Sequence, residues 1–253
     1  MIILKTIEEL DVMREAGKKL ARVLSVLKEE VKAGVKTLDL DARAKELIEG
    51  EGARPAFLGY TPGGTDKPYP FTLCASINET VVHGLPSDYV IQEGDLVKLD
   101  LGLIHRGFYS DAAVTVKVGE VTEEAKKLVW VTEEALKRGI AAAQIGTTLG
   151  DLGAAIGNFI KENKFGIVKT LTGHGIGRNL HEDPYVFNFG RPGEGEELKE
   201  GMVLALEPMV TAGGEKVKQM KDDSFVTVDG SLAAHFEHTV AITKNGPEVL
   251  TKI

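Results

Sequence analysis

Cysteine is nearly missing from this chain: Cys74 stands alone among 253 residues, so no internal disulfide can form. Positive charge is in deficit as well, with 30 Lys and Arg against 38 Asp and Glu and a net charge of −8. A general nucleic-acid binder would show a basic stripe, and none is visible. No apolar run approaches the length that spans a bilayer. The opening MIILKTIEEL turns to charges after four apolar residues, unlike a secretory signal. These absences lead to the expectation of a soluble, cytoplasmic protein with no membrane and no specific nucleic-acid partner. The length and 43% hydrophobic content suit one large globular domain or two small ones.

A repeated pattern organises the chain. In residues 6–30, Leu10, Met13, Leu20, Val23, Leu24 and Leu27 recur at helical spacing, Gly34 breaks the pattern, and Asp39 is expected to open a second helix. Residues 121–143 are again helical, Gly146 breaks them, and Asp151 is expected to open another helix. Gly34 and Gly146, Asp39 and Asp151, Leu40 and Leu152, and Ile48 and Ile160 share one offset of 112 residues. The pattern points to two repeated halves, roughly 1–118 and 119–253, of a single domain; resemblance between any two amphipathic helices is the plainer account. Strand-like runs separated by turn dipeptides such as Arg106-Gly107 and Asn245-Gly246 follow each helix pair. Tight turns favour antiparallel pairing, so the expected class is α+β with helices on one side of a sheet. Gly/Pro-rich loops at 60–70 and 188–197 belong at the surface and border sites in many proteins.

Acids in apolar strands are the unusual feature. LDLGLIHRGFYSDAAVTV at 99–116 reads as a hairpin with one aspartate, Asp100 or Asp111, in each strand. Around a two-residue turn, at His105-Arg106 or Arg106-Gly107, opposed positions sum to an odd number, which puts both carboxylates on one face. Such a pair repels and takes up a proton or recruits a cation; alternatively one Asp faces solvent and the other accepts turn hydrogen bonds. GMVLALEPMV places Glu207 in an apolar strand just before Pro208, and HFEHTVAIT does the same with Glu237. Buried glutamate needs a partner, and no strand offers an arginine flanked by apolar residues. His174 lies between Gly173 and Gly175, glycines that allow close approach of backbone or ligand. One His with four carboxylates is an oxygen-rich set suited to Mn, Fe(II) or Co, and its charge is better balanced by two divalent ions than by one.

In order and spacing, Asp100, Asp111, His174, Glu207 and Glu237, together with KTIEELDVMREAGKKLA, SINETVVHGLP, GHGIGRNLHEDP, LALEPMV and HFEHTVAIT, resemble the type I methionine aminopeptidases over nearly the whole chain. The resemblance implies the pita-bread fold, with two pseudo-symmetric halves and helices outside a curved antiparallel sheet. It implies removal of the initiator methionine from nascent proteins and peptides with a small second residue, by attack of a water or hydroxide bridging two divalent ions (Co, Mn, Fe(II) or Zn). Asp111 and Glu237 would then bridge both ions, Asp100 hold one, and His174 with Glu207 the other. Glu207 would also shuttle the proton, His181 would polarise the carbonyl, and His83 would contact substrate. Tyr60, Tyr69, Cys74, Leu180 and Phe225 match the methionine pocket, although Cys74 reads equally well as inert packing. The family further implies a monomer in transient contact with the ribosome. His105, His235 and His238 are read as structural.

The chain departs from the family pattern in a longer loop between Tyr60 and Cys74 with an inserted GGTDK, in Leu180 where an aromatic is common, and in Phe225 near the usual tryptophan. It is expected to lack the zinc-binding N-terminal extension of longer relatives, and no large insert separates His181 from Glu207. Two other readings remain. An Xaa-Pro aminopeptidase or dipeptidase shares the fold and the five ligands but carries an extra N-terminal domain and more closely spaced glutamates. A non-catalytic pita-bread binding protein would be expected to have lost ligands.

Overall fold

The computed structural model describes residues 1–61 and 67–252. Four helices form as two consecutive pairs: α1 (Ile7–Glu30) with α2 (Thr37–Gly50), and α3 (Glu123–Ala142) with α4 (Leu149–Glu162). Thr6 and Glu9 close a capping box at the start of α1, and Thr148 with Asp151 does so for α4. Asp39 and Asp151 therefore do not open their helices. Each is the third residue of a helix that begins two positions earlier, where a carboxylate meets unpaired amide groups and the positive end of the helix dipole. Between the paired helices the chain turns at Gly34 and Gly146, both left-handed at φ +91° and +84°. Among the described residues no helix is long and apolar enough to cross a membrane.

The class is α+β, and every strand pairing is antiparallel. The Leu96–His105 and Phe108–Lys117 strands form the long hairpin, joined by Arg106 and Gly107 with φ +50° and +83°, the two positive values of a two-residue I′ turn. Leu73–Ile77 pairs on its outer edge. In the second half, Val203–Leu206 lies between Gly173–Gly175 and Glu237–Thr243. Among the described residues, two pairs, Glu237↔Ala113 and His238↔Ala112, join these halves into one nine-stranded sheet. Two small sheets flank it: Ala233–His235 with Met209–Thr211 and Gly166–Ile167, and Val217–Gln219 with Phe225–Thr227 and Thr80–Val82.

Strand alternation separates chemistry from core. Leu99, Leu101 and Leu103 of the hairpin pack with Leu10, Met13, Leu20, Leu27, Leu40 and Ile48 of α1 and α2. Leu204, Leu206 and Val240 pack with Leu128, Leu136, Leu152 and Ile156 of α3 and α4. Burying each of these side chains contributes about 1.5–3 kcal/mol relative to exposure. The helices thus cover one face of the sheet with apolar residues, and the residues between them point to the other face.

Candidate metal centre

Cross-strand register builds that other face in rows. Cys74, Asp100, Ala113 and Glu237 are successive cross-strand partners over four strands. The neighbouring row runs Gly102, Asp111, Thr239, Ala205, His174. At its centre Thr239 stands in for a ladder pair: its Oγ1 donates to Asp111 O at 2.8 Å and accepts from Asp111 N at 3.0 Å. Asp100 and Asp111 share a face as the hairpin parity requires, with opposed positions summing to 213 and no bulge. Glu207 lies two residues beyond Ala205, just past the end of that strand. Ligand atoms of Asp111, His174 and Glu237 all lie within 4.8 Å of one another, and Glu207 Oε1 is 3.7 Å from His174 Nε2.

Glu207 is not inside a strand, contrary to expectation. The Val203–Leu206 strand ends before it and Met209–Thr211 begins after Pro208 in a different sheet, because proline has no N–H to continue a ladder. The chain changes sheets again at Phe236, between Ala233–His235 and Glu237–Thr243. Both glutamates therefore stand where a strand passes from one sheet to another.

The electrostatics of this cluster favour a cation. Burial, reinforced by Asp111, holds the Asp100 carboxyl well above its usual range, and burial pushes Asp111 up to about 7. Glu207 and Glu237 are raised by burial and then by the neighbouring carboxylates. Asp100 Oδ1, Asp111 Oδ1 and Glu237 Oε1 are buried without a hydrogen-bond partner. Such acceptors are costly unless a proton or metal ion meets them. His174 is held down to about 3 by burial and by His181, and so is neutral. Its Nδ1 lies 2.9 Å from Gly175 O; donation there leaves the Nε2 lone pair free, the tautomer a metal ligand needs. The flanking glycines are required: a Cβ on Gly173 would lie 2.3 Å from Ala205 O, and one on Gly175 2.1 Å from Asp183 O. The donor set fits divalent cations.

His83 and His181 are exposed to solvent although protein surrounds them on most sides, which lowers both below the usual histidine range. His181 packs edge-on against His174 at 4.5 Å between ring centres, and its Nδ1 lies 2.6 Å from the Tyr60 hydroxyl. His83 has φ +59° and packs edge-on against Phe225 at 5.8 Å. Cys74 and Leu180 are buried in the α1–α2 core cluster, with Tyr60 and Tyr69 packed against it; Phe225 belongs to a separate small cluster with Val82. The Tyr69 hydroxyl donates to Leu73 O. Most of the GGTDK insertion lies outside the described residues.

One residue read as structural belongs here. His235 Nε2 is 3.4 Å from Glu207 Oε2, and neither ring nitrogen has a hydrogen bond. Its position two residues before Glu237, on the same strand parity, was the available signal. His105 faces Glu15, and His238 Nδ1 lies 2.9 Å from Thr251 Oγ1; neither is in the cluster.

A buried histidine–carboxylate face on a helix-backed antiparallel sheet is the equipment of a metal-dependent hydrolase. The chain belongs to metallopeptidase family M24, which matches residues 11–244. It is 48% identical over 254 residues to a methionine aminopeptidase of Clostridium perfringens, with both chains covered in full. The solved methionine aminopeptidase of Thermotoga maritima matches with a TM-score of 0.95 at 44% identity, again over the whole of both chains. A prolidase of Pyrococcus furiosus matches with a TM-score of 0.80 at 28% identity, 99% of this chain covering 66% of that one. The architecture they share is the pita-bread fold.

Proposed function

We propose that this chain removes N-terminal methionine from nascent polypeptides and peptides whose second residue is small. The observation that carries the reading is the clustering of Asp111, His174 and Glu237, with Asp100 in the adjoining row, Glu207 3.7 Å from His174, and buried carboxylate oxygens left unpartnered. In this reading Asp100, Asp111, His174, Glu207 and Glu237 would hold two divalent ions, with Asp111 and Glu237 contributing to both, Asp100 to one, and His174 and Glu207 to the other. When bound, the ions act as Lewis acids and lower the pKa of water.

The chain's own residues supply orientation and proton transfer. Glu207, raised by its burial and by neighbouring acids, is suited to take a proton and return it to the leaving amine. Burial raises the Tyr60 phenol, so it stays protonated and donates to His181 Nδ1. That makes Nε2–H the free donor of His181, available to the carbonyl oxygen as negative charge develops there. His83, held in a left-handed conformation beside Phe225, contacts substrate from the other side. Tyr60, Tyr69, Cys74, Leu180 and Phe225 supply the apolar methionine pocket. Residues 1–253 act as one catalytic domain in two repeated halves, since each half contributes ligands. The enzyme works as a cytoplasmic monomer in transient contact with the ribosome.

Full-length coverage of the methionine aminopeptidases, against partial coverage of the prolidase, favours this reading over Xaa-Pro cleavage. The test is a peptide panel with divalent metals returned to metal-free protein. Methionine release from Met-Gly-Xaa and Met-Ala-Xaa, but not from Met-Lys-Xaa, is expected. Cleavage only before proline, or none with any divalent metal, would overturn the assignment.

A further inference from the structure

A buried lysine stands one row beyond Asp100, outside the machinery described so far. Lys98 is 1% exposed and lies in a row with its cross-strand partners Ser76 and Thr115. Thr115 continues the row by hydrogen bonds, its Oγ1 donating to His235 O at 2.7 Å and accepting from His235 N at 2.9 Å. The lysine forms no ion pair with a carboxylate of the described residues. Its Nζ donates instead to two main-chain carbonyls, Asn78 O at 2.7 Å and Ala233 O at 3.2 Å. Burial pushes this Nζ down to about 7 while Glu79 and Asp95 act against that; a buried amine without an ion pair is costly, so what it joins is informative.

The two carbonyls belong to different segments beside the acidic cluster, one leading to His83 and the other to Glu237. Asn78, at φ +48°, forms the corner before Thr80–Val82 and is fixed by its own side chain, which donates to Asp95 Oδ1 and accepts from Leu96 N. That strand leads directly to His83, and Gly84 closes the bend: a Cβ there would lie 2.7 Å from Ala75 O. Ala233 opens the strand that leads through His235 to Glu237. A single backbone bond, Ala233 N to Asn78 O at 3.0 Å, joins the two segments at this point. The lysine adds a second link through the same two residues, its Nζ bridging their carbonyls.

We propose that Lys98 is a positioning residue: an internal Nζ donor that clamps the corner leading to His83 onto the strand leading to His235 and Glu237. It sets the separation between the segment that contacts substrate and the segment that holds metal. The proposal rests on the roles given above to His83 and Glu237.

The test is Lys98→Ala at saturating divalent metal, assayed with ammonium chloride and with tetramethylammonium chloride at equal ionic strength. Loss of the clamp displaces groups on the scale of an ångström, so kcat/KM for a Met-Ala peptide is expected to fall roughly 10- to 100-fold. Ammonium, small enough to sit between the two carbonyls, restores activity; tetramethylammonium, too bulky and without N–H donors, does not. Unchanged kcat/KM, or a loss that ammonium does not reverse, overturns the clamp. If Lys98→Ala does not fold, Lys98→Met keeps the stem and removes the N–H donors; wild-type kcat/KM in that variant is equally fatal. The two readings fail separately. Were wild-type protein to release no methionine, the clamp is read from the melting temperature of Lys98→Ala, which ammonium raises if the proposal holds and leaves unchanged if it does not.

Discussion

Replacing Thr239 by valine tests how the two halves of the sheet are joined. Regular pairing across the seam stops at Ala113 and Ala112, and the next position is held by the Thr239 hydroxyl, which is fully buried and bonded to both Asp111 N and Asp111 O. Valine keeps the branched shape but leaves both main-chain groups unpaired. Each buried group left without a partner costs about 1–3 kcal/mol, so the substitution is expected to cost about 2–6 kcal/mol. At the middle of that range, the melting temperature of a chain this size falls by roughly 8–16 °C. Urea and thermal unfolding of metal-free protein measure the loss apart from metal affinity, and Thr239→Ser, which keeps the hydroxyl, should lose much less. A loss below about 0.5 kcal/mol, typical of surface changes, would refute the view that this side chain substitutes for a ladder pair.

Three further outcomes are expected. Asp111→Asn should abolish binding of the metal pair, measured by elemental analysis after dialysis, whereas His181→Ala should keep its metal and lose rate. Lys5 and Glu182 form a buried ion pair at 2.5 Å, and Glu182 Oε1 also accepts from Arg178 N and Asn179 N beside His181. Lys5→Met strands that carboxylate and is expected to cost about 3–5 kcal/mol in urea unfolding and to raise KM; adding Glu182→Gln should recover part of the loss. His235 is held down to about 3, chiefly by burial and then by His83 and Lys98, against an ordinary value of 6.5. The unfolded chain therefore binds the extra proton first, so stability is complete above about pH 6.5 and lost as pH falls toward 3. His235→Gln should flatten that acid limb in metal-free protein, and an unaltered slope of urea midpoint against pH would count against it.

Local chemistry made much of this molecule legible in its sequence. The Arg106-Gly107 turn and strand alternation put Asp100 and Asp111 on one face, and glycines around His174 marked a close backbone approach. Helix starts were misplaced by two residues because an aspartate at the third helical position looks much like a cap. Glu207 was read as mid-strand because apolar residues lie on both sides of it, although Pro208 carried the signal that pairing stops. Lys98 had no local signature: between Val97 and Leu99 in an alternating strand, a lysine reads as solvent-facing. Only its bonds to Asn78 and Ala233 reveal its burial, and the second spans 135 residues of chain. The joining of the Phe108–Lys117 strand to Glu237–Thr243 is equally remote, and one sequence holds no local record of which distant strands meet.

Ala113 and Ala205 occupy the middle of the two rows, between Asp100 and Glu237 and between Thr239 and His174. They bring no donor atom and carry no charge, yet the cleft is moulded by how little they fill. Each methyl works as a gauge block, setting clearance above the sheet while its strand sets the lateral spacing of the acids. The tolerance of this site to variation is therefore volumetric as well as chemical. A valine at either position would replace no acid or histidine and still crowd the room in which they meet.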